Sequence, residues 1–221
     1  METRVAISVG PERVSGLLLR PDEAKALFVF AHGAGVGMSH PSMASNAVGL
    51  GERGIATLRF QFPYMEKHSG RPDPPRIAHL AVRAAVGAAG EMAGDLPLFA
   101  GGRSYGGRMT SQAQALQPLP GVLGLAFLGF PLHPAGQPGI ERADHLGQVQ
   151  IPMLFVSGSR DALAELDLLK SVVEPLGEGA TLHVVDQADH GLRVAAKSGR
   201  TNDEAQAEAL DALSEWMIKL S

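Results

Sequence analysis

Short apolar segments with the β-branched or aromatic content of strands alternate with longer amphipathic segments over most of the sequence. The predicted strands are residues 26–31, 55–60, 96–100, 122–130, 151–156 and 181–185. The predicted helices between them are residues 42–53, 76–93, 107–117 and 165–176. Alternation of this kind predicts an α/β fold, with a mostly parallel central sheet and helices on both faces.

The two ends of the sequence add a hairpin and a last helix. Residues 4–8 and 13–19 are parted by a Gly-Pro dipeptide, which predicts an opening β-hairpin. Thr201 and Glu204 have the spacing of a capping box, which predicts the start of a final helix. No repeat or linker interrupts the 221 residues, and a domain has about 150 residues. We therefore expect residues 1–221 to form a single domain.

Charge and cysteine content exclude several classes of function. The 19 basic and 23 acidic residues leave a net charge of −4, so we expect no nucleic-acid partner and no anionic membrane surface. The absence of cysteine excludes disulfides, thiolate catalysis and cysteine-bound metals. The first residues lack the apolar core of a secretory signal, and the most apolar run, residues 122–132, is shorter than a membrane span of roughly 20 residues. We expect a soluble, cytoplasmic protein.

Polar residues that could carry chemistry follow four of the predicted strands directly. In sheets of this type the ligand site lies beyond the carboxyl ends of the strands. Those positions hold His-Gly-Ala-Gly at 32–35, Gly-Arg-Ser-Tyr-Gly at 102–106, Asp161 and His190.

The sequence at 102–106 matches the pattern G-x-S-x-G around Ser104. It lies where a predicted strand passes into a helix, which is the context of a nucleophile elbow, and the flanking glycines give a strained serine room. A glycine-rich turn with a solvated serine is the alternative. A phosphate-binding loop is excluded, because Arg108 and Met109 stand where its lysine and its Ser/Thr would be.

A nucleophilic serine needs a base and an orienting carboxylate. The chain order Ser, acid, His selects Asp161 and His190 as those partners. Asp186 and Asp189 compete as the acid, but both lie in the loop of His190 itself. Six of the other seven histidines are predicted on a strand or helix (His183, His79) or in loops without an acid in register (His40, His68, His133, His145).

The developing oxyanion of such a reaction needs backbone donors. The N–H of Tyr105, directly after the serine, is the first candidate. The second is Ala34 in the loop at 32–35, with Gly35 as the alternative, and a simple tight turn would also explain the glycines there.

Six stretches spread from about residue 26 to the end resemble the α/β-hydrolase superfamily. They are similar to its dienelactone-hydrolase-like branch and, more narrowly, to the compact hydrolases that include testis-expressed protein 30. The resemblance implies an α/β-hydrolase fold with Ser104, Asp161 and His190 as its triad. The matching stretches are residues 32–35, 59–64, 101–108, 130–134, 157–161 and 188–190.

The sequence departs from these relatives in two ways. Dienelactone hydrolases proper use a cysteine nucleophile, which this chain lacks, so their substrate is not expected here. Ala-Leu-Ala follows Asp161 where relatives often carry Pro-Phe-Gly, so the loop of the acid can have a different shape.

Together these features predict a serine hydrolase that acts on a small carboxylic ester or thioester, without a metal or organic cofactor. A non-catalytic binding or scaffold protein on the same fold is the alternative. The loop between residues 130 and 151 is too short for a folded cap domain, so we expect an open site. Four arginines lie beside strand ends and could bind an anionic substrate, but we expect them to pair with acids such as Glu141, Asp144 or Asp189. They are Arg59, Arg103, Arg108 and Arg160.

Overall fold

The computed structural model describes residues 2–221, which form one eight-stranded sheet in the order β1-β2-β4-β3-β5-β6-β7-β8. The first two strands form the predicted hairpin, and β2 also runs antiparallel to β4. All other neighbouring strands are parallel. The prediction of a mostly parallel sheet is therefore confirmed. The strands are β1 Glu2–Val9, β2 Glu12–Leu19, β3 Ala26–Ala31, β4 Ile55–Phe60, β5 Leu98–Arg103, β6 Val122–Leu128, β7 Met153–Gly158 and β8 Ala180–Val185.

Helices cover both faces of the sheet, as predicted from the alternating pattern. Apolar residues of α1 and α6 pack in the core on one face, and those of α3, α4 and α5 pack in the core on the other. The helices are α1 Pro41–Glu52, α2 Pro63–Glu66, α3 Pro75–Ala93, α4 Tyr105–Leu116, α5 Leu166–Val173 and α6 Asn202–Lys219. Short 3₁₀ turns lie at Glu141–Ala143, Leu146–Gln148, Glu174–Gly179 and Ala196–Ser198.

The central strands are apolar throughout because both of their faces are covered. Every residue of β3, β4 and β7 is buried. Phe28 and Phe30 of β3 pack toward α1 and α6, whereas Leu27 and Val29 alternate with them and pack toward α3.

Several element boundaries differ from the prediction. The third parallel strand runs from 98 to 103 instead of 96 to 100, and the next helix begins at 105 instead of 107. The strand contains glycines, which are typical of turns, because the neighbouring strands approach its backbone closely. A Cβ on Gly101 would lie 1.8 Å from the Ala126 carbonyl oxygen of β6. β6 ends at Leu128 instead of 130, since Gly129 has a φ of +64°. β7 begins after Pro152, which has no N–H for the ladder.

The loop between β6 and β7 contains two 3₁₀ turns and no further helix. Within residues 2–221 the chain therefore has no cap domain, as the loop length predicts. No helix in this described part of the chain is both long and apolar enough to cross a bilayer.

Candidate active site

Ser104 occupies the sharp turn between β5 and α4. Its backbone has φ 48° and ψ −118°, a region that residues with a side chain rarely adopt. The turn is held from both sides, since the Ser104 N–H donates to the Leu128 carbonyl at 3.0 Å and the Ser104 carbonyl accepts from Arg108 N–H at 3.1 Å. A Cβ on Gly102 or Gly106 would lie 2.4 or 2.6 Å from the Ala31 carbonyl oxygen. The two glycines thus let the turn pack directly against the end of β3.

The structure brings Ser104, His190 and Asp161 into one hydrogen-bonded array at the carboxyl end of the sheet. His190 Nε2 lies 2.8 Å from Ser104 Oγ, and His190 Nδ1 lies 2.8 and 3.0 Å from the two carboxylate oxygens of Asp161. An ionised carboxylate only accepts, so Nδ1 carries the proton and Nε2 accepts from the serine hydroxyl. The Asp161 side chain is buried, whereas the imidazole is 24% exposed. This arrangement can move a proton from the serine to the imidazole.

The two competing acids lie in other hydrogen bonds. Asp186 accepts from the Ser159 hydroxyl at 3.1 Å. Asp189 Oδ1 accepts from the backbone N–H groups of Gly191 and Arg193 at 2.8 and 2.9 Å. Both therefore shape the loop of His190 and do not contact its ring.

Two histidines have acidic partners that the sequence did not reveal. His133, expected to lack an acid in register, has its Nε2 in contact with Glu165. His183 Nε2 lies 3.0 Å from Glu208. Both acids follow the histidine by at least 25 residues, so no local sequence pattern could indicate the pairs.

The candidate oxyanion donors flank Ser104. Tyr105 is the first residue of α4, so its N–H has no acceptor within the helix. The loop at 32–35 packs against the serine, since a Cβ on Gly33 would lie 3.7 Å from Ser104 Cβ. The N–H of Gly35 donates to the Tyr64 hydroxyl at 3.4 Å. That contact favours Ala34 over Gly35 as the second donor.

His32 is a buried residue to which sequence reasoning assigned no role. It is 0% exposed, and its Nε2 accepts from Phe62 N–H at 3.1 Å. Nδ1 therefore carries the proton and donates to the Gly33 carbonyl at 2.9 Å. Burial, opposed by this weaker effect of the Gly33 carbonyl, lowers the pKa of His32 to about 4 and keeps the ring neutral. The Gly33 carbonyl and the Ala34 N–H belong to one trans peptide and point in opposite directions, so His32 also sets the direction of the Ala34 N–H.

A cleft of about 840 Å³ extends from Ser104 and His190 to the junction of α1 and α6. Its far end is polar, because Gln206 Nε2 donates to Ser45 Oγ and Asn46 Oδ1 at 2.9 Å each. The volume is in the range of small-molecule sites.

Comparison with protein families places the chain in a known group. A family model described as an alpha/beta hydrolase domain matches residues 24–218. The chain belongs to this alpha/beta hydrolase family.

Solved structures of other α/β hydrolases share the fold at low sequence identity. Dienelactone hydrolase from Anabaena variabilis matches with a TM-score of 0.79 and 23% identity, over 99% of this chain and 97% of the other. The esterase domain of a Rhodothermus marinus protein matches with a TM-score of 0.74 and 18% identity, over 99% and 98%. An α/β serine hydrolase without a lid from Xanthomonas campestris matches with a TM-score of 0.72 and 17% identity, over 97% and 94%. At these identities the likeness shows the fold.

Within residues 2–221, the strand-end arginines of this α/β hydrolase form no salt bridge with Glu141, Asp144 or Asp189, the acids expected from the sequence. Arg59 is 1% exposed and pairs with Glu2 of the opening hairpin. Arg103 donates to the Gly191 carbonyl at 3.0 Å and so holds the loop of His190. Arg160 contacts Gln187, and Arg108 lies 5.9 Å above the ring of Tyr105. Of the expected acids, Asp189 is near enough to Arg103 for its charge to oppose the lowering of the Arg103 pKa by burial and by Arg193.

Among residues 2–221, no three His, Asp or Glu side chains lie together in a way that could hold a metal ion.

Proposed function

We propose that this α/β hydrolase cleaves small carboxylic esters or thioesters through an acyl-enzyme on Ser104. The observation that carries this proposal is the array in which His190 joins the Ser104 hydroxyl to the buried Asp161 carboxylate at hydrogen-bond distances. A serine in this setting has the base and the orienting carboxylate that acyl transfer requires. The array lies in a cleft that can receive a small molecule.

The proposed reaction has two halves that use the same groups. Ser104 Oγ attacks the substrate carbonyl while His190 Nε2 takes its proton, and the imidazolium is stabilised by Asp161. The negative charge on the carbonyl oxygen is met by the N–H groups of Tyr105 and Ala34. The tetrahedral intermediate then collapses, and His190 returns the proton to the departing alkoxide or thiolate. In the second half a water molecule, deprotonated by His190, attacks the acyl-enzyme and releases the acid and the serine.

We further propose that residues 1–221 act as a single domain, since one sheet carries every strand end that contributes to the site. The cytoplasmic location and the absence of a nucleic-acid partner stay predictions from the sequence.

Replacement of the serine tests the proposal. We expect Ser104→Ala to lower kcat for a short p-nitrophenyl ester by at least about 10⁴-fold, because no other group takes over as nucleophile. A fluorophosphonate probe should add its mass to Ser104 in the native chain and not in the variant. The matched control is Ser111→Ala. Ser111 lies on α4, the helix that follows Ser104, and is outside the cleft, and its Oγ is 2.7 Å from Nε2 of another histidine, His145. This control should retain activity.

Undiminished turnover by Ser104→Ala would contradict the acyl-enzyme. A folded native chain that neither hydrolyses esters nor reacts with the probe would instead favour the scaffold alternative.

The polar end of the cleft predicts a preference for short or polar acyl groups. A long alkyl chain would cover the Gln206–Ser45–Asn46 network without offering it hydrogen bonds, which is unfavourable. Across C2 to C12 p-nitrophenyl esters we expect kcat/KM to be highest for the short chains. A maximum at C10 or above would show that the cleft accommodates long acyl chains and would contradict this prediction.

A further inference from the structure

His133 lies in the loop after β6, in a stretch, residues 130–134, to which the proposed reaction assigns no part. Its side chain is 1% exposed. Nδ1 lies 2.8 Å from the Pro134 carbonyl oxygen, and Nε2 contacts Oε2 of Glu165. Both ring nitrogens therefore face a hydrogen-bond acceptor.

Two acceptors can be satisfied only by a ring that donates from both nitrogens. A carbonyl oxygen never donates, and an ionised carboxylate accepts only. A neutral imidazole has one N–H and would leave the other nitrogen against an oxygen lone pair. The contacts thus fit the imidazolium form of His133, whose charge also strengthens the bond to the carboxylate.

The same loop is bonded to the turn that carries Asp161. The backbone N–H groups of Leu132 and His133 donate to the Leu163 carbonyl at 2.8 and 3.3 Å. The Leu163 N–H in turn donates to Asp161 Oδ1 at 2.8 Å. The far end of this turn is Glu165, whose own carbonyl accepts from Leu169 N–H in the first turn of α5.

The acid turn, residues 161–165, is supported by the bond from Leu163 N–H to Asp161 and by Ala164, which is buried in the core. Its residues 162 and 164 are alanines, whose side chains form no hydrogen bonds. The turn is held at Leu163 by the backbone of the β6–β7 loop and at Glu165 by the His133 ring. A shift of this turn would move Asp161 relative to His190.

We propose that His133 is a positioning residue which, as an imidazolium, clamps the acid turn and thereby keeps Asp161 in place behind His190. His133 touches neither substrate nor reacting atoms. Its ring acts through Glu165 at the far end of the acid turn. The backbone of the same loop holds Leu163, whose N–H donates to the Asp161 carboxylate.

The charges around His133 give the clamp a pH dependence. The Pro134 carbonyl raises the pKa of His133, and the contact with Glu165 raises it further. Burial lowers this pKa, and Arg142 from the 3₁₀ turn at Glu141–Ala143 lowers it more weakly. The net effect is a pKa above the ordinary value of about 6.5. The clamp is therefore complete at low pH and is lost as the pH rises through this raised pKa.

Nitrogen NMR of the histidine rings tests the protonation state without any assay of activity. Below pH 6.5 we expect the form of His133 with both nitrogens protonated to predominate, with a titration midpoint above about 6.5. Glu165→Gln keeps an acceptor but removes the charge, so the midpoint should fall. A His133 ring that titrates below the ordinary value would overturn the clamp.

The link to Asp161 is tested with His133→Gln, which cannot become a cation. Because misplacement of a catalytic group costs rate more than binding, we expect kcat to fall about tenfold with little change in KM. The native enzyme should lose kcat at alkaline pH as His133 deprotonates, and Glu165→Gln should move this alkaline limb to lower pH. In His133→Gln the limb should be absent.

His183→Gln is the matched control, because His183 forms a comparable pair with Glu208 on β8 and α6, away from the acid turn. It should leave kcat and the alkaline limb unchanged. A dependence of kcat on pH in His133→Gln that equals that of the native enzyme would overturn the positioning role. If His133→Gln does not fold, an alkaline limb that stays at the native pH in Glu165→Gln would overturn it instead.

The kinetic test of His133→Gln rests on the proposed function, but a second measurement, of proton exchange at His190, does not. The Nδ1 proton of His190, held by Asp161, should exchange faster with water in His133→Gln than in the native chain or in His183→Gln. Retained activity in Ser104→Ala would reject the acyl-enzyme alone, whereas an unchanged exchange rate would reject the clamp alone.

Discussion

Ser104 combines a reactive hydroxyl with a backbone conformation that L-amino acids rarely adopt. Its φ of 48° holds the side chain at the apex of the turn between β5 and α4. The conformation is imposed by close packing of the flanking glycines on β3 and by hydrogen bonds to Leu128 and Arg108. Such strain costs of order 1–3 kcal/mol and persists only where the surroundings enforce it.

This strain predicts an unusual order of stability among inactive variants. Ser104→Gly removes the Cβ that the conformation disfavours, so its free energy of unfolding should exceed that of Ser104→Ala by about 1 kcal/mol. The measurement is urea unfolding of both variants. Ser171, an exposed residue of α5, is the control. There the glycine variant should be less stable than the alanine variant by about 1 kcal/mol. Equal stability of the two Ser104 variants would mean that the turn is not strained.

The site is also a product of whole elements, because residues of α1 and α6 line the cleft together with Ser104 and His190. α6 begins with the predicted capping box: Thr201 Oγ1 accepts from Glu204 N–H at 3.2 Å, and the Glu204 carboxylate accepts from Thr201 N–H at 2.7 Å. The first turn of α6 leads directly to Gln206, which closes the polar end of the cleft.

Loss of the cap should weaken the protein without touching the reacting groups. Thr201→Ala leaves the Glu204 N–H without its partner, so we expect the free energy of unfolding to fall by about 1 kcal/mol. Ser221→Ala, at the other end of the same helix, removes a hydroxyl bonded to the Met217 carbonyl and should change it by less than about 0.5 kcal/mol. Urea unfolding measures both, and an unchanged midpoint for Thr201→Ala would contradict a stabilising cap.

At the scale of the whole molecule, histidines make the stability depend on pH in opposite directions. His32 is buried and neutral with a pKa of about 4, so the unfolded chain binds the proton more readily than the folded one. His133 has a raised pKa, so its contribution is present at low pH and is lost at high pH.

The lowered pKa of His32 predicts acid sensitivity. Between pH 6.5 and 4 the unfolded chain gains a proton that the folded chain does not, so this residue alone should reduce the free energy of unfolding by about 3 kcal/mol. In His32→Gln the fall over the same interval should be smaller by that amount, because the side chain no longer titrates. Urea unfolding at pH 7, 6, 5 and 4 measures the difference. Equal slopes in the two proteins would show that His32 is not held neutral.

Local patterns in the sequence determined the architecture of this protein. Periodicity predicted all eight strands and five of the six helices, because burial of a strand or of one helix face requires a fixed spacing of apolar residues. It missed α2, which is only four residues long. It also ended β5 too early, at 100 instead of 103, because the glycines that close strand packing requires there are typical of turns.

Only the tertiary structure decided which polar groups meet. His32 contacts a residue 30 positions away, His133 one 32 away and Arg59 one 57 away. Such pairs leave no periodic trace along the chain, because a hydrogen bond depends on where two segments come to lie, and that position is set by packing of the entire sheet. The order of Ser104, Asp161 and His190 could be read from the chain, whereas the contacts that orient the loop of Ala34 and the acid turn became visible only in three dimensions.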